Sequence, residues 1–241
     1  MDTLKTALRA GTHLNELKIL NAQLVRCRKC PRLVVYREKV AEIKRRAFNE
    51  WSYWGKPVPG FGDPKAKLLI LGLAPAAHGA NRTGRMFTGD RSGDFLYKAL
   101  YEAGFANQAT SVSREDGLCL RGAYISATAR CAPPDNKPLP SELANCRPYF
   151  ERELEILQPR AVLALGGIAV RAYLNVLKSR GEVTRLAAFP FSHGASFAFK
   201  PPLPRLFASY HPSQQNTFTG RLTDQMLLEV LNEIRKFLGE R

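Results

Sequence analysis

No apolar run in this chain of 241 residues approaches the roughly 18 residues that a membrane-spanning helix needs. The opening Met1-Asp2-Thr3-Leu4-Lys5 lacks the long apolar core of a signal peptide. Internal repeats and low-complexity tracts are missing too. The expectation is a soluble, cytoplasmic, monomeric protein with no membrane partner. Acidic residues are scarce: 21 Asp and Glu stand against 36 Lys and Arg, a formal charge of +15 spread along the chain. A phosphate backbone, an acidic membrane surface or an acidic protein would each complement that excess, and plain solubility is its bland explanation. A hydrophobic content of 45% with 24% charged residues excludes a largely disordered chain and suffices for a buried core.

Cysteines are few, and their number, five, is odd, which argues against a disulfide framework. Cys27-Arg28-Lys29-Cys30 is a C-x-x-C knuckle, and Cys131 and Cys146 each stand beside proline, which favours rigid turns. Four thiolates suit Zn²⁺ or an iron–sulfur cluster. Zinc ribbons favour two tight knuckles, and the wide spacing of the second pair leans toward iron–sulfur. A thioredoxin-like role would need the knuckle at a strand-to-helix turn, and a helical pattern precedes it instead. Cys119 has no partner in this pattern and reads as a buried small hydrophobe.

Leu14, Leu17, Leu20, Leu24 and Val25 mark a helix over 13–26, and a second follows Pro31 with Val34, Val40, Ile43 and Ala47. Short apolar runs bounded by Gly and Pro read as buried parallel strands at 68–73, 123–127, 161–167 and 206–210. Helical patterns lie between them at 95–103, 141–157 and 168–177, with a last helix over 224–238; Ser141 stands where an N-cap would. This alternation implies one α/β domain: an open, mostly parallel sheet with helices on both faces. The 1–241 domain divides into a helical extension (1–55) carrying the C-x-x-C, an α/β core (56–222) and a C-terminal helix (223–241).

In such sheets ligands sit outside the C-terminal strand ends. That rule nominates the loops 74–90, 128–140 and 211–219. The first is dense in Gly, Arg and hydroxyls around Phe87, and the last opens with His211-Pro212-Ser213, placing an imidazole at the rim.

Four blocks over about residues 27–220 resemble the uracil-DNA glycosylase superfamily, most closely its family 5. They are the cysteines 27, 30, 131 and 146, Gly72-Leu73-Ala74-Pro75-Ala76, Met86-Phe87-Thr88-Gly89-Asp90-Arg91-Ser92-Gly93, and His211-Pro212-Ser213. The resemblance implies a three-layer α/β/α sandwich with a small central parallel sheet. It also implies that Cys27, Cys30, Cys131 and Cys146 ligate a [4Fe–4S] cluster, and that Phe87 stacks on a base flipped out of DNA. The expected partner is DNA containing uracil or other deaminated bases.

Breaking an N-glycosidic bond separates an oxocarbenium-like sugar from an anionic base, and that charge needs stabilising. His211 is placed to hydrogen-bond the leaving base. Ala74, in the first motif, is expected at the substrate site, His78 could contact DNA or sugar, and Ser213 could bond a phosphate. The first motif carries no polar side chain where relatives hold an acid or amide, so the water-positioning role is open to Asn81, Asp90 or Asn136; each of these is equally a common turn-former. Ala127 stands where other family members have a uracil-reading asparagine. An apolar pocket discriminates less than a hydrogen-bonding one, so hypoxanthine is expected as a further substrate. With no lysine in these motifs, the expected reaction is monofunctional hydrolysis by water. The alternatives are a uracil-specific family 4 enzyme and a non-catalytic iron–sulfur module that binds damaged DNA.

Overall fold

The computed structural model describes the backbone of residues 2–239 and the side chains of residues 12–239; Met1, Glu240 and Arg241, the ends of the expected domain, lie outside the described residues. Two helices, α1 (Asp2–Leu24) and α2 (Pro31–Ile43), precede the sheet. The strands are β1 (Phe61–Gly62), β2 (Leu68–Gly72), β3 (Ala123–Ala127), β4 (Ala161–Leu165), β5 (Ser196–Phe197) and β6 (Arg205–Ser209). Between and after them come α3 (Ala80–Thr83), α4 (Arg91–Glu102), α5 (Pro140–Leu157), α6 (Gly167–Ser179), α7 (Gln214–Phe218) and α8 (Asp224–Leu238).

The sheet order is β1-β3-β2-β4-β6-β5. Its four inner strands are parallel, and the two-residue strands β1 and β5 close the edges antiparallel. The sheet is thus mostly parallel, as read in the sequence, and the two short antiparallel edge strands are the elements that reading did not include. A two-residue strand carries too little periodicity to be legible.

Every residue of β2, β3 and β4 is buried, because helices cover both faces. Side chains alternate across the sheet. Leu68 and Ile70 join Leu96 and Leu100 of α4 and Leu227 and Leu231 of α8 on one face. Leu69 and Leu71 join Leu17 of α1, Phe150 of α5 and Tyr173 of α6 on the other. The result is a three-layer α/β/α sandwich, and the N-terminal helix is part of one layer rather than an appendage.

Three local expectations are corrected. Helix α2 ends at Ile43, short of Ala47: Lys44 turns the chain at φ 58°, and the buried face is Leu33, Val34 and Arg37. Ile43 is exposed instead. Ser141 does not cap α5. The helix starts at Pro140, and the Glu142 carboxylate accepts the Leu139 amide at 2.7 Å while Arg32 forks onto it. Cys119 is exposed rather than buried, since its strand-like neighbours only form a bridge at the edge of a surface loop.

Candidate active site

The loop after β2 is held by arginines pointing inward. Arg85 forks onto Asp116 at 2.8 and 2.6 Å and also donates to Thr88 and Ser111. Burial would raise the Asp116 carboxyl, but Arg85 and the amides of Leu118, Val112 and Ser113 hold it down at about 2. Arg82 lies between the rings of Phe48 and Trp51, at 3.9 and 4.1 Å from their centroids, and donates to the carbonyls of His78 and Gly89. The loop is therefore a rigid scaffold, which a functional site requires.

That scaffold sets Phe87 in the left-handed region at φ 51°, a conformation costing on the order of 1 kcal/mol and concentrated at functional sites. Its ring lies over Gly72 at the end of β2, where a Cβ would come within 2.8 Å of the ring. Gly72 thus admits the aromatic, and Gly93 leaves room for its carbonyl. Phe87 faces His211, with ring centroids 5.9 Å apart and planes 33° from parallel.

Both line a cavity of about 630 Å³ at the C-terminal ends of the strands. Leu73, Ala74 and Pro75 form one wall with Ala127 beside them, and Asp90, Asn136 and Ser213 bring polar groups to it. Burial lowers the His211 imidazole to about 4, so at neutral pH it is an uncharged ring with one N–H to donate. Asp90 caps α4 through the Gly93 amide at 3.0 Å. Burial, helped by Asp94, raises its carboxyl against the amides that lower it. Gly79 packs against the second Asp90 oxygen, where a side chain would collide. Asp135 and Asn136 are consecutive left-handed residues at φ 53° and 56°, a second strained segment on the cavity's rim.

Six of the expected side chains therefore converge: His211, Asp90, Ala74, Phe87, Asn136 and Ser213. Asn81 and His78 do not line this cavity. Asn81 is fully buried, its amide nitrogen donating to the carbonyls of Arg37 and Ala77 at 3.3 and 3.4 Å, so it ties α3 to α2. His78 Nδ1 lies 3.1 Å from the Tyr53 hydroxyl. The four-residue helix α3 carries Asn81 away and the turn before it holds His78 against Tyr53, and no sequence pattern marked so short an element. The bracing arginines were also missed, because nothing in their spacing separates a buried guanidinium from an exposed one.

Away from this cavity, Cys27, Cys30, Cys131 and Cys146 line one small cavity together with Arg130 and Tyr149. Among the described residues, no three His, Cys, Asp or Glu side chains converge closely enough to hold a single metal ion. Arg37 Nη1 donates to Cys131 Sγ at 2.8 Å, and burial pushes that thiol up to about 12. Arg130 is ion-paired with Glu153 and bonded to Ser126, yet its Nε and Nη1 lack partners, as does Arg37 Nε.

A sequence profile described as the uracil DNA glycosylase superfamily matches residues 59–235. The chain belongs to that superfamily. It is 51% identical over 222 residues to a protein of Mycobacterium leprae named type-5 uracil-DNA glycosylase, covering 91% of this chain and 95% of the relative. A protein of the same name from Thermus thermophilus is 51% identical over 90% of this chain and 95% of its own. Similarity to a type-4 uracil-DNA glycosylase of Pyrobaculum aerophilum falls to 31% over 69% of each chain. The family resemblance read from the four blocks is borne out, and the type-5 relatives are the nearer ones of these three.

Proposed function

We infer that this protein is a uracil-DNA glycosylase of the type-5 kind, hydrolysing the N-glycosidic bond of uracil flipped out of DNA and leaving an abasic site. The observation that carries this reading is the pairing of Phe87 and a neutral His211 across one cavity at the strand ends. Phe87 provides the face on which an unstacked base rests. His211 donates its single N–H to the base carbonyl as negative charge develops there, with no proton lost to the base. Asp90 and Asn136 are the polar groups left to orient the attacking water, and Asp90 alone of the two can accept its proton.

The proposal extends to deaminated purines. Ala127 offers no side-chain hydrogen bond, and the adjoining wall of Leu73, Ala74 and Pro75 is apolar, so this side of the pocket gives little discrimination against hypoxanthine. No lysine lies among the described lining residues, which favours water over an amine nucleophile. A reducing cytoplasm suits this cysteine set, since an odd number of five gives no disulfide framework.

The four cysteines line one small cavity together, and a set of four thiolates suits a [4Fe–4S] cluster. A cluster with thiolate ligands is anionic, and the unpartnered nitrogens of Arg37 and Arg130 are cationic donors beside it. Cys27, Cys30, Cys131 and Cys146 would hold the group, and its contribution would be a covalent clamp between the knuckle, the 128–139 loop and α5. Purified protein should be brown, with about four iron and four sulfide per chain; one zinc and no sulfide would replace this assignment.

The activity test uses duplex oligonucleotides with a single uracil or hypoxanthine, followed by alkali. Alkali-dependent breaks at both bases are expected. Breaks at uracil alone would refute the relaxed pocket, and binding without breaks would indicate a damage-binding module.

A further inference from the structure

On the outer layer of the sandwich, α5 and α6 bound a groove of about 620 Å³. Leu143, Phe150 and Ile168 give it an apolar floor, and Ile168 is half-exposed with no partner covering it. Arg147, Arg171 and Lys178 rim it, and no acidic residue lines it. Arg147 has an ion pair with Glu151 at 3.3 Å, whereas Arg171 and Lys178 are exposed and form no ion pair among the described residues.

Ile168, Arg171, Asn175 and Lys178 lie on one face of α6 and span about 15 Å at 1.5 Å per residue. A three-turn helix or a short extended segment is of that length. A nucleic-acid backbone would satisfy the cations but has no aliphatic groups to bury on the floor. A peptide carrying both carboxylates and apolar side chains satisfies both features, and the chain's charge of +15 favours its approach. Thr128 closes one end of the groove, next to Ala127 of the substrate cavity, so a segment bound here would sit beside that cavity without filling it.

We propose that the α5–α6 groove docks an acidic, amphipathic segment of a partner protein, with apolar anchors on Leu143 and Ile168 and carboxylates on Arg171 and Lys178. This surface is separate from the glycosylase site and does not depend on that assignment. The test is fluorescence anisotropy of the full chain with a fluorescein-labelled peptide of about twelve residues, Leu on one helical face and Glu on the other. A second peptide carries Gln in place of every Glu. The acidic peptide should bind with a Kd below about 1 mM, more weakly as salt rises. Binding should fall about tenfold in the Arg171→Glu/Lys178→Glu variant and in Ile168→Asp. All three positions are exposed, so the variants should keep the wild-type circular dichroism and release uracil at the wild-type rate. Equal binding by the Gln peptide, undiminished binding by the variants, or no binding at all would overturn the proposal. So would displacement of the peptide by undamaged duplex DNA with weakened DNA affinity in the same variants, which would make the groove a DNA surface.

Discussion

His211 and Asp90 show how one cavity shifts two titratable groups toward their uncharged forms. The His211 imidazole, lowered by burial to about 4, resists protonation in the folded chain relative to about 6.5 unfolded. Its stability contribution is therefore complete above about pH 6.5 and is lost as pH falls through 4. At pH 5 the loss from this group alone is roughly 2 kcal/mol. Urea unfolding of wild type and His211→Asn at pH 7 and pH 5 should show the smaller loss in the variant; equal losses would mean His211 is not shielded. The same variant should release base far more slowly while still binding DNA. Asp90 serves both as helix cap and as cavity carboxylate, and Asp90→Asn separates the two roles because Asn caps equally well. Thermal melting within about 1 kcal/mol of wild type is expected, with base release reduced by about 100-fold or more. Wild-type release by that variant would pass the water to Asn136. Because its carboxyl is raised, release should decline on acidification at a pH above the ordinary Asp range.

At the scale of elements, the segment from the end of β2 to the start of α4 works as a unit. Its glycines are placed where the site needs close approach: Gly72 under the Phe87 ring and Gly79 against Asp90. Its arginines are spent internally, on Asp116 and on the Phe48–Trp51 pair. Removing one partner of a largely buried ion pair strands the other. Asp116→Ala should lower stability by about 3 kcal/mol and raise KM more than it lowers kcat, because Phe87 loses its brace while His211 stays in place. An unchanged melting temperature would show that the loop stands without Arg85. The strands and long helices of this region were legible because their apolar periodicity is long. Helix α3 was not, and with it went the direction of Asn81. That residue was read as facing the ligand, but it faces Arg37 across a helix contact that no local pattern encodes.

For the molecule as a whole, charge and the cysteine positions are the main sequence-wide features. A net +15 predicts DNA binding whose log K falls with log salt, with a slope of roughly −4.5 if about five phosphates are covered. Filter-binding with undamaged duplex between about 50 and 200 mM salt measures it; a flat response would disconnect the charge from DNA. No helix among the described residues is long and apolar enough to cross a membrane. What the sequence determined by itself was the α/β layering, the loops that carry the site and the family, because buried strands, glycine-rich turns and ordered motifs are local signals. Tertiary structure alone decided which way each loop residue points. It turned Asn81 and His78 away from the substrate cavity and exposed Cys119. It also buried Arg37 and Arg130 beside the four cysteines, and opened a cationic groove between α5 and α6. Those outcomes depend on contacts between residues far apart in the chain, which spacing along it does not record.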